Sequence, residues 1–206
     1  MPLTVPTEKQ AETAATITPL LAQRWSPYVF AAKPVTAEDL LALFEAARWT
    51  ASSYNEQPWR YVVARRDANP ELHAAIVKTL AAGNQPWAAE APVLAVGIIS
   101  TTFKRNDKPN KSALHDLGAA SAQLTIEATS RGLAVHQMIG IDPDAAKTAL
   151  GVPDGFEVYT ALAIGYPGNA AASDAPYADR DQKPRSRQPL SAFVFSSWDT
   201  PARFIN

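Results

Sequence analysis

Residues 92–100 (Pro-Val-Leu-Ala-Val-Gly-Ile-Ile-Ser) constrain the fold more than any other stretch. A strand with one face in water alternates apolar and polar residues. This run does not alternate, as expected of a short strand covered on both faces. The cover is written on either side of it. Thr36, followed three positions later by Asp39, makes a capping-box signature that opens a helix over 37–49, with Leu40, Leu41, Phe44, Ala47 and Arg48 at helical spacing. Asn69-Pro70 starts a helix that Gly83 ends, giving 70–82. The longest helical pattern, 112–131, sets Leu117, Ala120, Leu124 and Ala128 on one stripe and stops at Gly132. Asp142-Pro143 opens another, closed by Gly151.

Further strands are predicted at 59–64, 133–138, 156–164 and, in the C-terminal segment, 191–195. Helices separate the strands, which implies a central sheet with helices on both faces. The chain of 206 residues fits one domain, 1–206, with an N-terminal extension or helix over 1–20 and an extended C-terminal segment over 168–206. Residues 8–22 read as a helix interrupted by Pro19, residues 84–87 as a polar-aromatic knot, and residues 101–111 as a mobile loop with four basic groups.

Several function classes fall away. Without cysteine there is no disulfide, thiolate nucleophile, Cys-based zinc site or Cys-ligated iron–sulfur cluster. Lys and Arg number 19 against 20 Asp and Glu, so the charge balance offers nothing to nucleic acid. The longest apolar runs are too short to span a bilayer, and the first ten residues lack a signal-peptide pattern, so a soluble cytoplasmic protein is expected. His73, His115 and His136 are scattered, with no metal-binding spacing, and no metal site is expected. Gly-x-Gly-x-x-Gly, the P-loop and Gly-x-Ser-x-Gly are all absent. The last absence weakens a hydrolase built on Ser52 or Ser53 with His136 and Asp116.

The positive signal is distributed. Arg24 with Ser26, and Arg185 with Arg187, are guanidinium groups bracketed by Pro and Ser, and their fork geometry suits phosphate oxygens. Asn55, Gln57 and Asn84 carry amides that both donate and accept, as the polar edge of a heterocycle requires.

These residues fall in segments that together resemble the FMN-dependent nitroreductase family. The segments are Arg24-Trp25-Ser26-Pro27 with Phe30, Glu45-Ala46-Ala47, Ser52-Ser53-Tyr54-Asn55-Glu56-Gln57-Pro58-Trp59-Arg60, Arg131-Gly132-Leu133 with His136-Gln137-Met138-Ile139-Gly140, Ile164-Gly165-Tyr166-Pro167, and Arg185-Ser186-Arg187-Gln188-Pro189-Leu190. Order and spacing match over residues 20–195.

The resemblance implies an α+β three-layer sandwich with a central mixed sheet flanked by helices, forming an intertwined homodimer with FMN sites at the subunit interface. It implies a phosphate site at Arg24, Trp25, Ser26, Arg185 and Arg187. Ser52, Ser53, Asn55 and Gln57 would join the flavin pocket, partly from the partner subunit, and Asn84 would reach the flavin's pyrimidine edge. Gln137, Met138, Ile139 and Gly140 would run along the isoalloxazine, with the backbone N–H of Ile139 or Gly140 facing flavin N5. The implied activity is NADH- or NADPH-dependent reduction of nitroaromatics, quinones or similar small electron-poor acceptors, in a ping-pong cycle without a catalytic side chain. Dehalogenation, dehydrogenation, flavin fragmentation, or flavin storage or sensing are the other readings the resemblance allows. Two positions depart from the family pattern: Tyr28 where a basic residue is common, and Ala51 where Pro is frequent. Tyr28 is read either as a lost cation near the flavin or as a residue lining the substrate side.

Overall fold

The computed structural model describes residues 5–205; the first four positions of the expected N-terminal extension lie outside them. Four strands, β1 (Trp59–Arg65), β2 (Val93–Ser100), β3 (Ala134–Met138) and β4 (Phe156–Gly165), form one sheet in the order β1-β2-β4-β3. Every pairing within this chain is antiparallel, which corrects the expected mixed sheet. The reason is topological. β2 and β3 do run in the same direction, but β4 lies between them and pairs with both.

All eight residues of β2 are buried, as its unbroken apolar run requires. Helices α2 (Ala37–Arg48) and α5 (Ala113–Ser130) cover one face, where Leu40, Leu43, Ala47, Leu117, Leu124 and Ala128 meet Val93, Ala95, Val135 and Leu162. The other face packs Leu94, Val96, Met138 and Ala161 against Ile76 of α3 (Pro70–Thr79), Trp87 of α4 (Gln85–Ala88) and Ala146 of α6 (Pro143–Ala149). The result is a three-layer sandwich.

Local chemistry explains the boundaries. The Thr36 hydroxyl accepts the Asp39 N–H at 3.0 Å, satisfying one orphan donor at the start of α2. Gly132, at φ 77°, lets the Leu133 N–H reach the Ala128 carbonyl and the Gly132 N–H reach Thr129, the double closure of a Schellman motif. Asp142 caps α6 by accepting from Asp144 and Ala145 N–H.

Several sequence expectations are corrected. In α2 the expected Leu40 and Ala47 are buried together with Leu43, which is fully buried, whereas Leu41 is 71% exposed and Arg48 also faces water. The expected helix over 8–22 is a 3₁₀ turn (Thr7–Lys9), irregular chain, and the short α1 (Pro19–Gln23). Pro19 starts α1, where its missing N–H removes no bond. α3 ends at Thr79, because Leu80 turns extended to bridge Ile141. Asn69 does not cap α3; its side-chain oxygen accepts from the Arg65 N–H instead. The knot at 84–87 is the turn and start of α4. Residues 101–111 fold on themselves through a Thr102–Pro109 bridge. The irregular 168–189 segment holds a 3₁₀ turn (Ala170–Ala172) and α7 (Ala178–Asp181). The C-terminal strands are β5 (Phe195–Ser197) and β6 (Thr200–Pro201), paired with each other, rather than 191–195, where Leu190–Ala192 makes a 3₁₀ turn.

Candidate functional site

α1 delivers Arg24 into the loop that follows it, and the C-terminal segment returns to the same place. Arg185 donates to the carbonyls of Ala22, at 2.5 Å, and Arg24. These carbonyls lie at the end of α1, where a cation satisfies orphan acceptors. Arg24 Nη1 donates to Ser26 Oγ at 3.2 Å. Arg24, Arg185 and the exposed Arg187 line a groove of about 960 Å³ together with residues 11–15, among them Glu12, and Ile17 and Leu21.

The electrostatics of this groove are unbalanced. Burial lowers the Arg24 pKa, and the Arg185 and Arg187 charges lower it further. Arg185 is lowered by burial and then by Arg187. No carboxylate lies within ion-pair distance of any of the three among the described residues. The Nε of Arg185 is buried without a hydrogen-bond partner. Three converging guanidinium groups with a spare donor are complementary to a compact oxyanion such as a phosphate monoester. The chain's residues therefore fit the phosphate of FMN. Trp25, expected at the same site, is buried, with Lys9 Nζ 5.1 Å from its ring centre and its indole N–H unpaired.

A clamp that sequence reasoning missed holds this segment. Lys9 is 5% exposed, and its Nζ donates to the carbonyls of Arg180 (3.0 Å) and Lys183 (2.6 Å). Asp181, 4% exposed, accepts the N–H groups of Tyr28 and Val29 at 2.8–3.0 Å. Burial pushes its carboxyl pKa up, against the pull of those N–H groups and Lys9. Neither residue sits in a motif, and no local pattern pairs them. The ring of Tyr28 stands edge-on to Trp87 and His136, and its hydroxyl accepts from Arg180 Nη1 at 3.3 Å. A cation from α7 thus lies beside Tyr28, the position where the family resemblance leads one to expect a basic residue.

The His136 Nδ1 atom lies 2.9 Å from the Pro27 carbonyl, which makes it the donor and ties β3 to the Arg24 loop. Burial lowers its pKa, as does the charge of Arg24, against the raising effect of the Pro27 bond; His73, bonded to the Ala91 carbonyl, is also lowered by burial. Both imidazoles therefore take up a proton less readily than in the unfolded chain. As pH falls below the ordinary histidine range near 6.5, the unfolded chain takes up protons before the folded one does, so stability is lost on that side. Denaturant midpoints should drop from pH 7 to pH 5, and His136→Gln should flatten the slope. An unchanged slope in that variant would contradict this.

Beyond β3, Asn84 Nδ2 and the Ala81 N–H both donate to the Gly140 carbonyl, at 3.1 and 2.9 Å. A Cβ at position 140 would lie 2.6 Å from Asn84 Nδ2, so a side chain here would displace the Asn84 amide from this bond. The N–H groups of Ile139 and Gly140 donate to no backbone carbonyl among the described residues. Ile139 is 68% exposed, whereas Met138 is buried in the core. Gln137 turns its amide toward α5, donating to the Ser121 carbonyl and Thr125 Oγ1. Its side chain is therefore engaged away from the Asn84–Gly140 contact.

The Ser52–Gln57 loop stands apart. Ser52 Oγ accepts the Gln57 N–H, Ser53 N–H reaches the buried Asp116 at 3.2 Å, and Gln57 Nε2 donates to Asn55. Tyr54, Asn55 and Gln57 sit at φ 55°, 55° and 51°. Each left-handed residue costs about 1–3 kcal/mol, strain that surrounding structure must over-determine. The loop leads into β1 where Trp59 faces Ile99, at the end of β2; Phe30, just past the arginine loop, bridges Pro167 beyond β4, whose Ile164 faces Val93 at the start of β2. Within one chain the two groups occupy opposite ends of the sheet. No hydrogen bond or ion pair joins them among the described residues. The described residues also hold no cluster of His and acids fit for a metal, and no helix long and apolar enough to cross a membrane.

Comparison with known proteins agrees with this architecture. A solved oxidoreductase whose description states that it contains FMN is 34% identical, with a TM-score of 0.84 over 93% of this chain and 96% of that one. A nitroreductase family protein from Streptococcus pneumoniae shares the fold at TM-score 0.70 and 19% identity, over 86% of this chain and 98% of its own. A 15.4 kDa protein of Mycolicibacterium smegmatis, of uncharacterised function, is 37% identical over 69% of this chain and 99% of its own length. A Streptomyces coelicolor protein provisionally named NADH dehydrogenase/NAD(P)H nitroreductase is 24% identical over 68% of this chain and 79% of its own. The family description Nitroreductase family matches residues 21–166, which span the arginine loop, the whole sheet and both helical layers; the chain belongs to that family.

Proposed function

We propose that the chain is an FMN-dependent NAD(P)H oxidoreductase that reduces nitroaromatics, quinones or similar electron-poor acceptors. The observation that carries this reading is the convergence of Arg24, Arg185 and Arg187, none of them in an ion pair among the described residues, with the unpaired buried Nε of Arg185. The described FMN content of the 34% identical structure supports the choice of anion.

When bound, FMN supplies the centre that takes up and gives back a hydride. The chain's own residues bind and orient. Arg24, Ser26, Arg185 and Arg187 would hold the phosphate, with Trp25 packed beneath. Asn84, through its bond to Gly140, fixes the turn that carries the free N–H groups of Ile139 and Gly140. Those N–H groups would face the flavin ring, alongside Gln137 and Met138. Ser52, Ser53, Asn55 and Gln57 would complete the pocket from a partner subunit, since in one chain they lie at the other end of the sheet. A homodimer would also cover the exposed Leu41, Trp49 and Trp198, the last 91% exposed. No side chain is assigned an acid–base role.

The test is an absorbance spectrum of the purified, flavin-loaded protein, followed by anaerobic NADH and then NADPH. A bound-flavin spectrum that bleaches with either nucleotide is expected. Bound flavin that stays oxidised with both would overturn the reductase reading, and failure to take up FMN would overturn the whole assignment.

A further inference from the structure

A second cationic feature stands beside the Ser52–Gln57 loop, outside the arginine groove. Residues 101–111 carry Lys104, Arg105, Lys108 and Lys111 against one carboxylate, Asp107. They form a small hairpin: the Phe103 N–H donates to the Lys108 carbonyl at 2.9 Å, and the Asn110 N–H to the Thr101 carbonyl at 2.8 Å. Glu56, 8% exposed, accepts the Lys104 N–H at 2.9 Å and so ties the hairpin to the loop.

The guanidinium of Arg105 lies 3.7 Å from the centre of the Tyr54 ring and 5.4 Å from that of Phe103. The two rings meet edge to face at 5.9 Å. Tyr54 itself is 71% exposed and held at φ 55°. None of the four cations is in an ion pair among the described residues, and none of their side chains donates a hydrogen bond there. A run of lysines is ordinarily a solvated face. This one is braced by a backbone ladder, a buried carboxylate and a stacked guanidinium, at the edge of a strained loop.

We propose that this hairpin binds the phosphorylated adenosine end of the nicotinamide donor, so that NADPH is preferred to NADH. The proposal rests on the oxidoreductase reading above and names the donor for that same site. A guanidinium pinned on one face by Tyr54 offers its other face to a planar base and its N–H edge to oxygens. A phosphate monoester carries about −1.5 to −2 charges at pH 7. Lys104 and Lys108 add compact positive charge beside Arg105. NADH lacks that phosphate and leaves the cations solvated, so it gains nothing from them.

The experiment compares kcat/KM for NADPH and NADH in the FMN-loaded protein, in Arg105→Ala and in a Lys104→Ala, Lys108→Ala double variant. The latter keeps the Tyr54 stack. Binding of adenosine 2′,5′-bisphosphate and of 5′-AMP is measured in parallel by calorimetry. Charge-assisted contacts to a phosphate imply roughly a tenfold or larger preference for NADPH in the parent. Both variants should bring the ratio toward parity by lowering the NADPH value alone, and the bisphosphate should lose its advantage over 5′-AMP. Equal use of the two nucleotides by the parent, or an equal fall for both in the variants, overturns the proposal. If neither nucleotide reduces the flavin but the bisphosphate still binds in an Arg105-dependent way, the reductase reading falls and the phosphate site stands. Bisphosphate binding that ignores Arg105 and both lysines overturns the site.

Discussion

Replacing Arg24 with alanine is expected to raise the dissociation constant for FMN roughly 10- to 100-fold, as loss of a charge-assisted phosphate contact should. The same substitution should not lower the melting temperature of the cofactor-free protein. Arg24 is half-buried beside two like charges, each of which disfavours its charged form, and no carboxylate offsets them. Its one side-chain bond is to Ser26 Oγ. Removing it relieves repulsion in the empty groove and removes attraction in the filled one. Ligand binding to the folded state stabilises it by mass action, so parent and variant should differ in melting only when FMN is present. Arg187→Ala should behave alike, because Arg187 is exposed and bonds only the neighbouring Ser186 carbonyl. Arg185→Ala should differ, since it also strips the Ala22 and Arg24 carbonyls of their donor. Fluorescence titration with FMN and paired thermal melts check all three. Unchanged FMN affinity in Arg24→Ala would dismantle the phosphate assignment.

Trp87→Ala should be the most damaging single core change, costing about 3–5 kcal/mol in denaturant unfolding. The indole is 1% exposed, near-parallel to Phe30, 4.4 Å from the His136 ring and edge-on to Tyr28. It comes from a four-residue helix, so neighbouring turns offer little to collapse into the space. Trp87→Phe should cost far less. The indole N–H is buried with no partner, and removing an unsatisfied donor returns about 1–3 kcal/mol against the lost area. Alanine should also weaken FMN retention, because His136 leans on Trp87 and holds Pro27 of the arginine loop. Equal losses for alanine and phenylalanine would show that the space collapses.

How much of this was written locally can be judged from particular residues. β2, α2, α5 and α6 are legible because their signals are local: an unbroken apolar run, Thr36 with Asp39, Gly132, Asp142-Pro143. The helix expected over 8–22 fails because its composition is helical but its partners are not; Ala11 N–H bonds the Ala22 carbonyl, and Lys9 serves the C-terminal segment. The convergence of Arg24 with Arg185 and Arg187 was legible as chemistry, since guanidinium groups among Pro and Ser suit an anion. The clamp of Lys9 and Asp181 was not, because its meaning lies in backbone groups far along the chain. Gln137 shows the limit of motif reading. Its motif gives no sign that its amide N–H group donates to Ser121 and Thr125 of α5.

The bond from Arg185 to the Arg24 carbonyl spans 161 positions of sequence. At ribosomal speeds of about 5–20 residues per second, Arg24 waits roughly 10–30 s for its partner. All four strands of the sheet are out before then, so the sandwich can begin to assemble around a groove that has no far wall. With the phosphate site proposed above, cofactor capture would belong to the closing seconds of synthesis. A chain cut short before Arg185 would lack the partner of the Arg24 carbonyl, so on the proposed phosphate site flavin colour would report on translational completeness as well as on folding.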